Sequence, residues 1–318
     1  PPPPSDCGGR RAGRSRAPGG CAMAVGGALL VAGPGVLGGG VGDRWRAGGG
    51  RVVAQTATAE RHGALRARGF EPRTARPGGG GGAGAAERSF PNVIFSAPPS
   101  GAARAGFADY PAAVEEAAGQ WDGTGTLLFT GSASVYAADG AASVSERSET
   151  KLGGADDEKT DRLLRAEEAV LARGGCVVRL VGLYHSQRGA HTFFLKKQEV
   201  PRWGGYTINL LHYEDAAELC FRILQGGRSG APFREEIFLG CDGAPITLED
   251  MMAATLASGA YGEGRCSLTG APGGGQPLGK LNVDCSWTRE QTGWSPEHGR
   301  GSYVEFMANG ARDSFSAP

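Results

Sequence analysis

The chain lacks net charge: 33 lysines and arginines balance 33 aspartates and glutamates. A balanced surface raises no long-range field toward nucleic acid or an anionic membrane, and neither partner is expected. No apolar run reaches the roughly 18 residues a membrane-spanning helix needs. Histidine is scarce. The 5 residues (His62, His185, His191, His212 and His298) show no metal-ligand spacing, so no metal is expected. The 7 cysteines (7, 21, 176, 220, 241, 266 and 285) are odd in number, widely scattered and without a C-x-x-C pair. That pattern fits reduced thiols better than a disulfide framework or a zinc site. Tyrosine is wholly missing between Ala137 and Leu183.

Glycine, by contrast, is abundant, at 56 of 318 residues, so a glycine motif counts only in context. Residues 28–40, ALLVAGPGVLGGG, supply that context. An apolar run ends at Gly33-Pro34-Gly35-Val36-Leu37-Gly38, which matches G-x-G-x-x-G. After a buried strand and before a helix, Gly33 permits the tight turn, Gly35 lets a pyrophosphate approach the backbone, and Gly38 lets the helix pack close to the strand. The first N–H groups of the helix, at Val36 and Leu37, would then face the phosphates. A chance match in a glycine-rich chain is the competing reading.

The rest of the first half alternates strand and helix signals. Strands are expected at 28–32, 51–56, 70–72, 92–97, 125–130 and 175–181, with helices at 36–47, 58–68, 107–120 and 158–173. Short apolar runs separated by helices predict a doubly wound parallel Rossmann sheet of the α/β class. After about residue 182 the pattern loosens, with helices near 214–225 and 247–258 and a strand near 236–240. The division expected is a disordered extension at 1–26, a dinucleotide-binding domain at 27–182, a smaller C-terminal α+β substrate lobe at 183–310 and a tail at 311–318. Residues 77–86, PGGGGGAGAA, read as a low-complexity loop. The extension is rich in Arg, Pro and Gly and has a single acid, Asp6, so it resembles an organelle transit peptide. The alternative is a disordered tail, or upstream sequence with Met23 as the true start.

The glycine fingerprint, the run LLFTGSASVYAADG and the later segments RLVGLYH and NLLHYEDAA resemble extended short-chain dehydrogenase/reductases, the group that includes sugar-nucleotide epimerases and dehydratases. The C-terminal half (GLYHSQRGAH, FLGCDGAPITLEDMM and PLGKLNVDCSWTREQTGW) is similar to a plant and algal subgroup of NAD(P)-binding Rossmann proteins. The resemblance implies redox chemistry on a small polar or nucleotide-linked substrate, with a homodimer as a common assembly. Together with the N-terminal extension it points to the plastid stroma; without a transit peptide the expectation is cytoplasmic.

In that family a serine after the fifth strand binds the substrate oxygen, and a Tyr followed four residues later by a Lys supplies the acid and base. Such a pair shares one helix face, and the ammonium lowers the phenol pKa. Ser132 matches the serine, with Ser134 as the near alternative. The Tyr–Lys pair does not match: aligning Ala166-Glu167-Glu168 on the family helix puts Lys159 and Leu163 at its positions. Lys159 lies among Asp156, Asp157, Glu158 and Asp161, which keep it charged.

The remaining expectations come from strand ends. The second strand ends in Gln55-Thr56-Ala57-Thr58, without the acid that would bind NAD ribose hydroxyls. Thr56, Thr58 and Arg61 therefore favour NADP, with NAD as the alternative. Ala97, Pro98 and Pro99, before Ser100, follow the fourth strand and would flank the cofactor, the prolines holding the backbone away from a helix. Tyr184 could replace the missing proton donor, and His185, Arg188 and His191 lie near it in sequence. Arg188, His191 and His212 are expected substrate contacts, with Asn209 comparable to His212, while Asp215 reads as a helix N-cap. For each residue a packing or surface role competes. Trp287 and Trp294 read as burying against the lobe. Two functions stay open: an atypical reductase, or a non-catalytic NAD(P)-binding sensor or assembly partner.

Overall fold

The computed structural model describes residues 26–75, 89–138, 140–153, 157–270, 278–297 and 302–315. The extension before Gly26 and the loop at 77–86 lie outside them. The chain opens with β1 (Ala28–Ala32), α1 (Val36–Ala47), β2 (Arg51–Thr56), α2 (His62–Ala67) and β3 (Glu71–Thr74). It continues with β4 (Asn92–Phe95), α3 (Pro99–Arg104), α4 (Tyr110–Ala118), β5 (Leu127–Ser132), β6 (Gly140–Val144), α5 (Glu158–Leu171) and β7 (Cys176–Leu180). Next come β8 (Gly182–Tyr184), α6 (Ala190–Lys197), β9 (Glu199–Trp203), β10 (Thr207–Ile208), β11 (Leu210–His212), α7 (Tyr213–Leu224) and β12 (Ile237–Gly240). The last elements are β13 (Ile246–Thr247), α8 (Leu248–Ala257), β14 (Ser267–Gly270), β15 (Lys280–Val283), α9 (Ser286–Thr292) and α10 (Tyr303–Ala308).

Seven of the strands form one parallel sheet in the order β12-β7-β5-β4-β1-β2-β3. This is the doubly wound arrangement, and its order reverses between β1 and β4. The pleat explains why the apolar runs are continuous. Leu29 and Val31 enter the core on one face, and Leu30 and Ala32 enter the core on the other. A strand covered on both sides has no polar face to show. Pro72 is tolerated because β3 is an edge strand.

Helices α1 and α7 cover the first face. Trp45 meets Phe221 edge-on at 6.2 Å, and Arg44 pairs with Glu218 at 3.0 Å. On α7 the buried Ala216, Leu219, Cys220 and Ile223 recur at helical spacing. Helices α4 and α5 cover the second face with Val114, Ala117, Ala166 and Val170. A separate core, built by Tyr184, Phe194, Leu210, Met251, Met252, Tyr303 and Phe306, holds the lobe together.

Several expectations need correction. The strand near 236–240 is β12, the outer strand of the main sheet, and α7 is a sheet-covering helix. The chain after 183 thus enters the lobe, returns to the sheet and leaves again, because the apolar run at 237–240 needs cover on both faces. Trp294 joins the sheet core rather than the lobe core, and its indole donates to the Asp215 carbonyl at 3.0 Å. Trp287 stacks on Phe238 of β12. Pro98 and Pro99 open a helix instead of preventing one, since Pro99 fills the first position of α3, where no amide hydrogen is needed. The cap of α7 is His212, whose Nδ1 accepts from Glu214 N at 3.2 Å. Asp215 falls inside the first turn and accepts from Glu297 N at 2.9 Å.

Candidate functional site

A cavity of about 570 Å³ opens at the carboxyl edge of the sheet, where the strand order reverses. Its walls include Gly33 to Leu37, Thr56 to Thr58, Ser96 to Gly101, Thr130 to Ser132, Leu163, Arg188 and Tyr213. In open α/β sheets this is the place where ligands bind.

The glycine turn is built from main chain. Gly33 adopts φ +91°, and a Cβ there would lie 2.3 Å from Ala97 N. Its N–H donates to Gln55 O at 2.9 Å, and its carbonyl accepts from Ser96 Oγ at 2.8 Å. The turn is thereby tied to β2 and to the β4 exit. Gly35 is the opposite case, because a Cβ there would meet nothing within 4 Å. It caps α1 with no side-chain hydrogen bond, and the first turn carries no acid. The open approach, the uncapped helix end and the partial positive charge there suit an anionic diphosphate. Gly38 packs where a Cβ would lie 2.3 Å from Ser96 Oγ, which holds the helix close to the sheet.

At the β2 end, the Thr56 hydroxyl donates to Thr58 O at 2.7 Å and sits 2.8 Å from His62 Nε2. Thr58, Glu60 and the exposed Arg61 line the wall beside it. Ala97, Pro98 and Pro99 line the opposite rim. Behind that rim, the Tyr110 hydroxyl donates to Ala97 O at 3.0 Å, and burial pushes its pKa far up.

At the β5 end, Ser132 lines the cavity and Ser134 does not. The Ser132 Oγ accepts from Ser134 N at 3.2 Å and lies 3.0 Å from Ser134 Oγ. Leu163, at the position the family gives to lysine, stands in the cavity wall, while Lys159 is exposed on α5. Among the lining residues there are three arginines (61, 104 and 188) and one acid, Glu60, but no lysine, histidine or aspartate. Beneath the wall, Arg179 pairs with the buried Glu167 at 2.7 Å and lies 4.7 Å above the Tyr136 ring.

The polar set expected at 184–212 divides. Arg188 lines the cavity, its guanidinium 5.9 Å from the Tyr213 ring. Tyr184 does not: it is 1% exposed between Tyr303 and Phe306, and burial drives its pKa strongly upward. His191 is fully buried in the lobe, 3.2 Å from the Tyr261 hydroxyl, and burial lowers its pKa to about 4. His212 contacts Asp313 Oδ2 at 3.1 Å. Asp313 also accepts from Ser186 N and Ser186 Oγ, both at 2.7 Å, and from Phe315 N at 2.9 Å. Burial opposes its charge, but these hydrogen bonds hold its carboxyl below the usual range. The Asn209 amide donates to Lys280 O. Among the described residues no cluster of three or more metal-ligating side chains occurs.

The sequence reading missed Tyr213, Tyr110 and Phe107 in the wall and Asp313 in the supposed tail. Tyr213 had a usable signal: it directly follows β11, just as Tyr184 ends β8. Asp313 had none, because the side chains it joins, Ser186 and His212, lie 127 and 101 residues away.

Neither a protein-family profile nor a curated protein matches the chain. Solved structures do match its fold. The UDP-glucose 4-epimerase of Thermotoga maritima, solved with UDP-glucose, superposes at TM-score 0.64 with 12% identity, covering 89% of this chain and 97% of its own. The dTDP-glucose 4,6-dehydratase of Bacillus anthracis, in complex with NAD, gives TM-score 0.66 and 10% identity over 88% and 95%. A conserved protein of unknown function from Silicibacter pomeroyi gives 0.64 and 18% over 89% and 99%. The chain therefore carries the Rossmann fold of nucleotide-sugar epimerases and dehydratases across nearly the whole length of those proteins.

Proposed function

We propose that this chain binds a nicotinamide dinucleotide and performs redox chemistry of the epimerase or dehydratase type on a small polar or nucleotide-linked substrate, without the Tyr–Lys pair. One observation carries this reading. A single cavity joins the bare Gly35 main chain to Ser132, across the switch point of a fold shared with an NAD-bound epimerase and an NAD-bound dehydratase.

Gly33 to Gly38 would hold the diphosphate, with Ala97, Pro98 and Pro99 as the facing wall. Thr58 and Arg61 would meet the adenosine ribose. Arg61 has no carboxylate partner among the described residues, which favours a 2′-phosphate and hence NADP. The bound nicotinamide would accept or return a hydride. Ser132 would bind the reacting oxygen. Of the two tyrosines in the wall, Tyr110 has its hydroxyl taken up by Ala97 O, which leaves Tyr213, rather than Tyr184, as the available phenol; burial raises its pKa, and Arg188 beside it works the other way. Tyr213 is therefore the better-placed proton donor, and Arg188 can hold an anionic group of the substrate. The three arginines against one acid favour an anionic ligand throughout.

Leu163 in the wall favours a second reading, a dinucleotide-binding sensor without turnover. Titrating the full chain with NADPH and NADH by fluorescence, then assaying hydride transfer with nucleotide sugars, aldehydes and ketones, separates the two. Turnover lost in Ser132→Ala supports the enzyme. Tight binding without turnover, unchanged in Ser132→Ala, supports the sensor. Absence of binding to either dinucleotide overturns both.

A further inference from the structure

Cys241 follows β12 directly, and Cys285 precedes α9. Their Sγ atoms lie 3.2 Å apart, both are buried, and neither lines the cavity. Between them the chain leaves the sheet, builds β13, α8, β14 and β15, and returns. The two thiols therefore stand at the neck of an excursion that supplies much of the lobe. They are positioned from both sides. Cys241 Sγ also reaches Val283 O at 3.5 Å, and the Arg289 guanidinium donates to the carbonyls of Cys241 at 3.3 Å and Asp242 at 3.1 Å.

We propose that Cys241 and Cys285 form a reversible, peroxide-sensitive dithiol whose disulfide clamps the neck of the lobe. The local chemistry sets the order of events. The hydrogen bond from Cys241 pulls the Cys285 thiol down against the effect of burial, with help from Arg289, while Cys241 is pushed up. Cys285 is thus the nucleophile. Its thiolate attacks one oxygen of a peroxide, the O–O bond breaks, and the departing hydroxide takes a proton to leave as water. Cys285 becomes a sulfenic acid. Cys241 sulfur then attacks Cys285 sulfur, the S–O bond breaks, and the hydroxyl leaves as a second water with the Cys241 proton. The two sulfurs give up two electrons, and the two peroxide oxygens receive them. Disulfide bonding needs the sulfurs to close by only about 1 Å. Peroxide is small enough to reach a buried pair through local opening, where a bulky disulfide reagent is not. Cys176 and Cys220 are poor competitors, since burial pushes their thiols up to about 11 and about 12.

The test is hydrogen peroxide on the native full chain, followed by alkylation, digestion and mass spectrometry. The expected result is a cross-linked peptide pair containing Cys241 and Cys285, lighter by two hydrogens, reversed by dithiothreitol and accompanied by a higher thermal midpoint. Cys266→Ser should retain the cross-link, and Cys285→Ser should lose it. In Cys241→Ser the reaction should stall at a Cys285 sulfenic acid that dimedone traps, a readout that does not depend on how well Cys285→Ser folds. Cys241 and Cys285 alkylated equally in treated and untreated protein, or Cys285 driven to sulfinic acid without a cross-link, would overturn the proposal. Dinucleotide binding does not enter the readout, so its outcome is separate from the assignment of the cavity.

Discussion

The two ends of the cavity behave differently. At the β1–α1 turn the expected chemistry belongs to the main chain: a glycine of positive φ, an open glycine and a free helix end. At the far end it was expected from side chains, and most of those turn away. Tyr184, His191 and His212 close the lobe core and the Asp313 network, and only Arg188 and Ser132 face the cavity. A backbone site is specified by the same few residues that form it. A side-chain site also depends on which way each strand end points, and that is set by partners distant in sequence.

The sharpest break of this comparison is Gly35→Leu. A Cβ there meets no protein atom within 4 Å and would stand in the proposed diphosphate seat, so dinucleotide affinity should fall by at least about 1000-fold, or ~4 kcal/mol, with the thermal midpoint nearly unchanged. Fluorescence titration and a melting curve read the two effects separately. Gly33→Ala should do the reverse, lowering stability by about 3 kcal/mol, because both the φ of +91° and the 2.3 Å approach to Ala97 N oppose a Cβ.

At the other end, Asp313→Ala should cost about 3 kcal/mol in denaturant unfolding, since it removes the acceptor shared by Ser186 N, Ser186 Oγ and Phe315 N and the contact to His212 Nε2. Dinucleotide affinity should not move. A large affinity loss without a stability loss would place this network in the binding site after all.

His191 supplies a pH test. Its folded pKa of about 4 lies below the ordinary 6.5, so between these values the unfolded chain binds the extra proton. Stability should therefore fall as pH drops from 6.5 to 4, by up to roughly 3 kcal/mol, and level off below that window. In His191→Gln the slope over that interval should flatten. The smallest effect expected is Arg61→Ala: NADPH affinity reduced about tenfold, or ~1.4 kcal/mol, with NADH affinity unchanged.

How much could be read in advance follows the same division. The central strands were legible because each is a short apolar run covered on both faces, and the β1–α1 turn because its glycines answer a local steric demand. The strands of the lobe were not, since β8 to β11, β13 and β14 are at most five residues long and pair with distant partners. Pro98-Pro99 illustrates a local ambiguity: the same dipeptide that blocks a helix interior starts a helix when it occupies the first turn.

The amino-acid order by itself determined a doubly wound α/β domain, its glycine turn between β1 and α1, and Ser132 at the β5 end, because period, apolar runs and glycine spacing act over a few residues. Only the tertiary structure decided that β12 returns to the sheet, that Tyr213 rather than Tyr184 lines the cavity, that the Asp313 side chain is covered, and that Cys241 meets Cys285. These depend on packing between segments tens to hundreds of residues apart, where burial and hydrogen-bond satisfaction over the whole molecule choose the direction of each side chain.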